Sequence, residues 1–394
     1  MISVSEARAI IQQHIVTLSP VLRILPDVLG YTIAADVFAT VDIPAYPQSS
    51  MDGYAFSYTD WQQNKSLQIS GEMAAGTKES ISLPSKTAVR IFTGAPVPPG
   101  ADTVVMQEKV VVEKGILTIQ DDQFQAGANV RPKGSEIKVG ELALPSGTLL
   151  TPAAIGFLAG IGVTEVMVYP SPVVTIIITG NELQKPGQPL EYGQVYDANS
   201  FALSAVLQQY GVQQIEVIQV PDVIERLNES LSQALEKSDL VLLTGGVSVG
   251  DYDFVTRSAE YCGITTQFHR LKQRPGKPLF FGTKGPQMIF GLPGNPSSVL
   301  TCFYMYVLPV IMGMKKTGTG LIRQQVPLSQ SYTKTTQLTH FLKGWYDGQT
   351  AAPLGAQESY RMRSFAGANC LIEIEEKAER MEQGALVTIH LLSA

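Results

Sequence analysis

Three apolar runs in this chain, "VVTIII", "DLVLL" and "QMIF", each end on glycine and polar residues, in "TGNEL", "TGGVSVGDYDF" and "GLPGNPSS". Between and around them lie segments of helical period. Leu203, Val206, Leu207 and Tyr210 fall at i, i+3, i+4 and i+7 in a helix expected from Phe201, and Ile224, Leu227, Leu231 and Ala234 continue that period in a helix from Val223. A further strand, "IEVIQV", a helix near Phe254, the strands "PLFFG" and "QMIFG" and a last helix from Ser297 complete the alternation. Strands that are apolar throughout, separated by helices, indicate a mainly parallel sheet covered on both faces, a doubly wound α/β domain over 171–315. In such a sheet the carboxyl ends of the strands share one edge, and ligands bind there where the strand order reverses. The three glycine loops are therefore expected to face one cleft.

The loop after "DLVLL" carries the most chemistry. Gly245, Gly246 and Gly250 let backbone N–H groups approach a ligand closely, beside the hydroxyls of Thr244 and Ser248, and the helix that follows aims its positive end at the same place. That combination favours an anion such as phosphate. Asp251 and Asp253 would repel an anion unless a hard cation sits between, and Mg²⁺ is held by one or two carboxylates plus phosphate oxygens. The plainer alternative for Asp251 is a helix cap. "GGVSVG" lacks the dinucleotide-binding spacing and no Walker lysine follows, which argues against a nicotinamide or P-loop enzyme.

The formal net charge is −6, which argues against broad contact with nucleic acid or an anionic membrane. An anionic ligand must then meet a locally basic site. "HRLKQRPGKP" supplies one, with Arg270, Lys272, Arg274 and Lys277 inside eight residues. Arginine suits bidentate oxyanion contacts and lysine supplies a mobile point charge. A solvated charge run is the alternative; Pro275 and Gly276 hold the segment off helix, against that view.

With 394 residues, two to four domains are expected. Ser3 and Glu6 form an S-x-x-E capping box ahead of Ala7, Ile10 and Ile11, so a helix opens the chain. Residues 45–131 are β-rich and punctuated by Pro and Gly, a domain inserted into a first domain built from 1–44 and 132–170. Residues 316–394 turn β-rich again as a fourth domain. "SSMDGYAF" reads as an Asp-Gly hairpin turn, and "FTGAPVPPGADTVVMQE" as strand, Pro-rich loop, strand. Asp197 and Asn199 of "YDANS", and Asp222, each precede a helix and are expected to cap it. Cys262, Cys302 and Cys370 are far apart and suit free buried thiols; the four histidines are scattered. The start has no signal-like segment, and "CFYMYVLPVIMGM", interrupted by Pro309, falls short of a membrane span. A soluble cytoplasmic protein is expected.

Taken in order, "SSMDGYAF", "TGAPVPPGADTVVMQE", "RPKGSEI", "TGNEL", "YDANS", "TGGVSVGDYDF", "RPGKP", "GLPGNPSS" and "AGANCLI" resemble the molybdopterin molybdenumtransferases, the MoeA-like family that includes the E domain of gephyrin. The resemblance spans nearly the whole chain. It implies an L-shaped four-domain homodimer, with a C-terminal β-barrel-like domain and an α/β domain similar to that of the molybdopterin adenylyltransferase acting one step earlier. It also implies the reaction: adenylylated molybdopterin and molybdate enter, molybdenum cofactor and AMP leave, Mg²⁺ assists, and molybdoenzyme clients receive the product. By the same likeness Asp52, Thr93, Glu182, Asp222 and Asp253 match acidic or polar site positions, with Asp52 and Thr93 reaching the partner chain's cleft. Glu182 joins Asp251 and Asp253 as a candidate metal ligand. Arg270, Arg274 and Lys277 match the basic loop, Pro293 and Pro296 match "LPGNP", and Lys343 and Ser359 match cleft-lining positions. Two departures stand out: Arg274 occupies a place where lysine is common, and Glu358 one where glycine is common. A non-catalytic gephyrin-like scaffold and the adenylyltransferase itself are the alternative functions.

Overall fold

A computed structural model describes residues 1–78, 81–121, 123–246 and 254–392. The chain divides into two compact units: one of residues 1–21, 30–32 and 168–394, the other of residues 22–29 and 33–167. Helix α1 (Val4–His14) opens with the expected capping box: Glu6 N–H donates to Ser3 Oγ at 3.2 Å and Ser3 N–H to Glu6 Oε2 at 2.7 Å. Its apolar stripe, Val4, Ala7 and Ile11, packs into the core of the α/β unit. The sequence grouping of 1–44 as one piece of the first domain separates this helix from the core that buries it.

The second unit is centred on a six-stranded mixed sheet. Its strands are β1 (Gly53–Phe56), β2 (Ser66–Met73), β3 (Thr87–Ile91), β4 (Thr103–Met106), β5 (Val110–Glu113) and β6 (Ile116–Ile119), in the order β4-β1-β3-β2-β6-β5. Alternation sends Ala55, Val89 and Val104 to one apolar cluster and Phe56, Ala88 and Val105 to another, so both faces are covered. The Asp-Gly pair is not a hairpin turn. Gly53 begins central strand β1, paired with Ile91 on one side and Met106 on the other, and its φ is not positive, as a type I′ turn would require.

In the α/β unit, β7 (Val173–Thr179), α2 (Asn199–Gln209), β8 (Gln214–Val220), α3 (Ile224–Lys237), β9 (Leu240–Thr244), α4 (Phe254–Tyr261) and β10 (Thr265–Arg270) follow in turn. Next come β11 (Gln273–Arg274), β12 (Pro278–Lys284), β13 (Gln287–Leu292) and the long helix α5 (Pro296–Met314). The sheet order is β8-β7-β9-β13-β12-β10, parallel from β8 to β13 and antiparallel at β12 and β10. Successive residues of β7 serve opposite cores. Ile176 and Ile178 pack with α1, α2 and α5, while Ile177 packs with α3 and α4. The sheet is therefore doubly wound, as its apolar strands require.

Helix α5 is longer than the sequence suggested, because it runs through Pro309. Within it Phe303–Val307 adopts the wider π register, where Leu308 N–H donates to Phe303 O, so the slip absorbs the bond that proline cannot make. Its 19 residues are long and apolar enough to span a bilayer by composition, yet 78 % of that window is buried inside the protein. This is a core helix. A C-terminal sheet completes the unit, with β14 (Arg323–Pro327), β15 (Thr339–Tyr346), β16 (Cys370–Ile374) and β17 (Leu386–Leu391). Its order is β11-β15-β16-β17-β14, so its first strand belongs to the basic loop.

Candidate functional site

Parallel register fixes the site. Thr179 pairs with Val220, Ile178 with Thr244, and Thr244 with Leu292, so the loops beginning at Gly180, Pro221, Gly245 and Pro293 leave one edge of the sheet. The order reverses at β7, whose chain continues to β8 on one side and later to β9 on the other, which is the ligand-binding position of an open α/β sheet. Because β10 runs antiparallel to β12, and β12 to β13, the segment from Arg270 to Lys277 emerges at the same edge.

The acidic end is built on β7. Asn181 and Asp222 bond reciprocally: Asn181 N–H donates to Asp222 Oδ2 at 3.3 Å and Asp222 N–H to Asn181 Oδ1 at 3.2 Å. Asp222 thus ties two edge loops together and does not cap α3, whose N-cap Val223 has no side-chain cap. The exposed Glu182 carboxylate folds over Gly180, where an added Cβ would lie 2.7 Å from its Oε2. Gly245, at φ +84°, passes so close to β7 that a Cβ would sit 2.2 Å from Thr179 O, and only glycine meets both demands.

Asn199 does not cap α2 either. Its Nδ2 donates to Thr244 Oγ1 at 3.1 Å and to Gly294 O at 2.9 Å, stitching the β9 end to the β13 loop. Asp197 does take a capping role, accepting from the N–H of Ser200 at 3.1 Å and from its hydroxyl. Among the described residues, the buried atoms Thr179 Oγ1, Asn199 Oδ1 and Ser297 Oγ have no hydrogen-bond partner. Buried polar atoms left over in this way at a sheet edge suit a polar ligand. No sequence signal separated Asn199 or Asn181 from ordinary turn residues.

The basic end comprises Arg270, Arg274 and Lys277, all exposed. Arg274 Nη1 donates to Thr335 Oγ1 at 3.2 Å, and Lys272 is engaged with Glu376 at 3.0 Å. Strand β11 pairs Gln273 with Thr339 and Arg274 with His340, so β15 carries the basic loop. The same strand carries Lys343, but not as a cleft-lining cation. Lys343 is 3 % exposed, and its Nζ donates to Ala356 O at 2.8 Å, Glu358 O at 3.2 Å and Arg361 O at 3.1 Å. Burial pushes its pKa down. Lys343 therefore ties together the loop that contains Ser359. There Ser359 O accepts from Ser297 N–H at 3.1 Å and its Oγ from Asn295 Nδ2 at 2.9 Å, just ahead of Pro296 and beside buried Pro293. Glu358 is turned to Arg361 at 3.7 Å, which offsets its charge.

In the other unit, Asp52 and Thr93 meet. Thr93 N–H and Oγ1–H donate to Asp52 Oδ1 at 2.7 and 2.8 Å, and the backbone donor, more than the hydroxyl, holds the Asp52 carboxyl below its usual range. Ser248, Gly250, Asp251 and Asp253 lie outside the described residues. Among the described residues no group of three or more His, Cys, Asp or Glu side chains is gathered to hold a metal. At the acidic end the Glu182 carboxylate, the Asp222 carboxylate oxygen not bonded to Asn181 N–H, and Thr179 Oγ1 are hard oxygens of the kind Mg²⁺ takes. In donor chemistry, they fit that ion.

Comparison with known proteins agrees with this layout. Residues 2–162 match the MoeA N-terminal region (domains I and II), residues 175–313 the probable molybdopterin binding domain, and residues 325–392 the MoeA C-terminal region (domain IV). The chain is 35% identical to the molybdopterin molybdenumtransferase of Haemophilus influenzae over 91% of each protein. It is 36% identical to that of a Nostoc species over 87% of this chain and 82% of that one. A crystal structure of the molybdopterin biosynthesis MoeA protein from Pyrococcus horikosii superposes with a TM-score of 0.84 at 27% identity, covering 100% of both chains. With three domain models matched in order and 35% identity to a curated relative over 91% of the chain, the chain belongs to the MoeA family of molybdopterin molybdenumtransferases.

Proposed function

We propose that this chain inserts molybdenum from molybdate into molybdopterin, taking the adenylylated form as substrate and releasing AMP. The observation that carries this reading is the convergence of five loops on one sheet edge, cations at one end and carboxylates at the other. An adenylylated substrate has a pyrophosphate that calls for donors and cations, and Arg270, Arg274 and Lys277 would hold its oxyanions. Glu182 and Asp222, with Asp251 and Asp253, would hold Mg²⁺, which when bound supplies positive charge to the anhydride oxygens as AMP departs. Gly245 and Gly246 would bring backbone N–H groups to the substrate, and Ser248 and Gly250, which follow in the same loop sequence, are proposed to bind it too. Pro293 and Pro296 would shape the adjoining wall, and Ser359 would offer a hydroxyl to molybdate.

The same reading makes the protein a cytoplasmic homodimer in which Asp52 and Thr93 complete the partner chain's cleft. A molybdopterin adenylyltransferase would supply its substrate and molybdoenzymes would receive its product. The test is turnover by purified protein given adenylylated molybdopterin, molybdate and Mg²⁺. AMP release that rises with molybdate and yields active cofactor is expected; AMP release indifferent to molybdate would count against metal insertion.

A further inference from the structure

Beneath the basic loop lies a buried amide that no anion-binding role explains. Gln273 is 0 % exposed. Its Nε2 donates to Pro275 O at 3.0 Å and Gly276 O at 3.1 Å, the two carbonyls between Arg274 and Lys277. Its Oε1 accepts from the hydroxyl of Tyr306, a residue 1 % exposed inside the π segment of α5. Burial raises the Tyr306 pKa well above its ordinary value, so the phenol keeps its proton and donates. The loop backbone rests directly on this support. A Cβ on Gly276, at φ +80°, would come within 2.4 Å of Cys302 Sγ and 2.9 Å of Gln273 Nε2. The loop's ends are closed by Leu271 N–H donating to Lys277 O at 2.9 Å.

Gln273 is thus the side chain through which the core dictates the path of the peptide joining two of the loop's cations. In a buried setting an amide with both ends satisfied fixes one geometry, whereas a half-satisfied one does not. The π register matters here, because it sets the direction in which Tyr306 leaves the helix axis.

We propose that Gln273, braced by Tyr306, is a positioning residue that presets the loop of Arg274 and Lys277 for an oxyanion ligand; this rests on the reading of that loop as the substrate's phosphate-binding site. Tyr306 touches no substrate in this scheme. It acts through Gln273, and Gln273 acts through the loop.

The test compares Tyr306→Phe, Gln273→Leu and Arg274→Ala, with the Tyr306→Phe/Arg274→Ala double variant, in the full-length protein. Removing the Tyr306 hydroxyl breaks one buried neutral bond, so KM for adenylylated molybdopterin should rise about three- to tenfold with kcat held within about twofold. In the Arg274→Ala background the same change should add little, because both act through one loop. Amide hydrogen exchange of Leu271, whose N–H closes the loop on Lys277 O, should quicken in Tyr306→Phe while strands β7 and β9 stay protected. If Gln273→Leu fails to fold, Tyr306→Phe alone decides. Unchanged exchange at Leu271 would overturn the positioning role. Quickened exchange with an unchanged KM would show that Gln273 sets the loop but the substrate does not use it, overturning the phosphate-site reading and with it the proposal.

Discussion

At Gly53 the requirement is a single missing carbon. A Cβ there would lie 1.8 Å from Val105 O and 2.8 Å from Val105 C, both backbone atoms of the neighbouring strand. Neither atom can yield without parting β1 from β4. Gly53→Ala should therefore cost more than about 3 kcal/mol in urea unfolding, at the high end for one methyl group; a loss below about 1 kcal/mol would mean the strands part easily. The motif was visible in the sequence, but its reason was not. An Asp-Gly pair between apolar residues has the composition of a hairpin, and only the pairing of Gly53 on both sides reveals a close-packed strand start. Likeness to a family singles out Asp52 and Thr93, whereas their direct hydrogen bonds come from the bend before β1 meeting the turn after β3.

Among elements, the clearest electrostatic tie joins α1 to the C-terminal sheet. Arg8 contacts both Glu373 oxygens at 3.1 Å, and His390 meets Glu373 Oε2 at 2.7 Å. Burial works to raise the Glu373 pKa, but the bonds from His390 and Arg8 outweigh it and hold the group at about 2. Burial keeps His390 below its ordinary value, so its neutral ring donates. A carboxyl depressed from 4.5 to about 2 contributes stability that is present above pH 4.5 and lost as pH falls toward 2. Over that window the wild type should lose on the order of 2–3 kcal/mol more unfolding free energy than Glu373→Gln, read from urea curves at stepped pH. Parallel slopes for the two proteins would exclude the tie. His390, held below 6.5 by burial against the opposing pull of Glu373, adds a loss that begins below pH 6.5 and is the larger in Glu373→Gln, so the comparison is read between pH 4.5 and 2. Elements of this kind are where sequence reading succeeded and failed for physical reasons. Doubly buried strands and their glycine ends are legible because apolar periodicity is local. The pairing of β11 with β15, and the burial of Lys343 under three carbonyls, join residues some seventy positions apart or consume a charge that looks free.

At the scale of the molecule, the proposed dimer makes a definite demand. If Asp52 serves the partner's cleft, a mixture of Asp52→Ala and Arg274→Ala chains should recover about a quarter of wild-type activity by forming one intact site per heterodimer. Proven subunit exchange without recovery would place both residues' roles within one chain. The α/β unit is also discontinuous in sequence: residues 1–21 are made well before the strands they lie against, which begin at Val173. During translation the opening helix leaves the ribosome some 150 residues ahead of its docking surface, while 33–167 can already condense around their own sheet. An 11-residue helix is marginal on its own in water, so even with its capping box the apolar stripe of this segment gains a settled form only when the α/β core arrives to bury it.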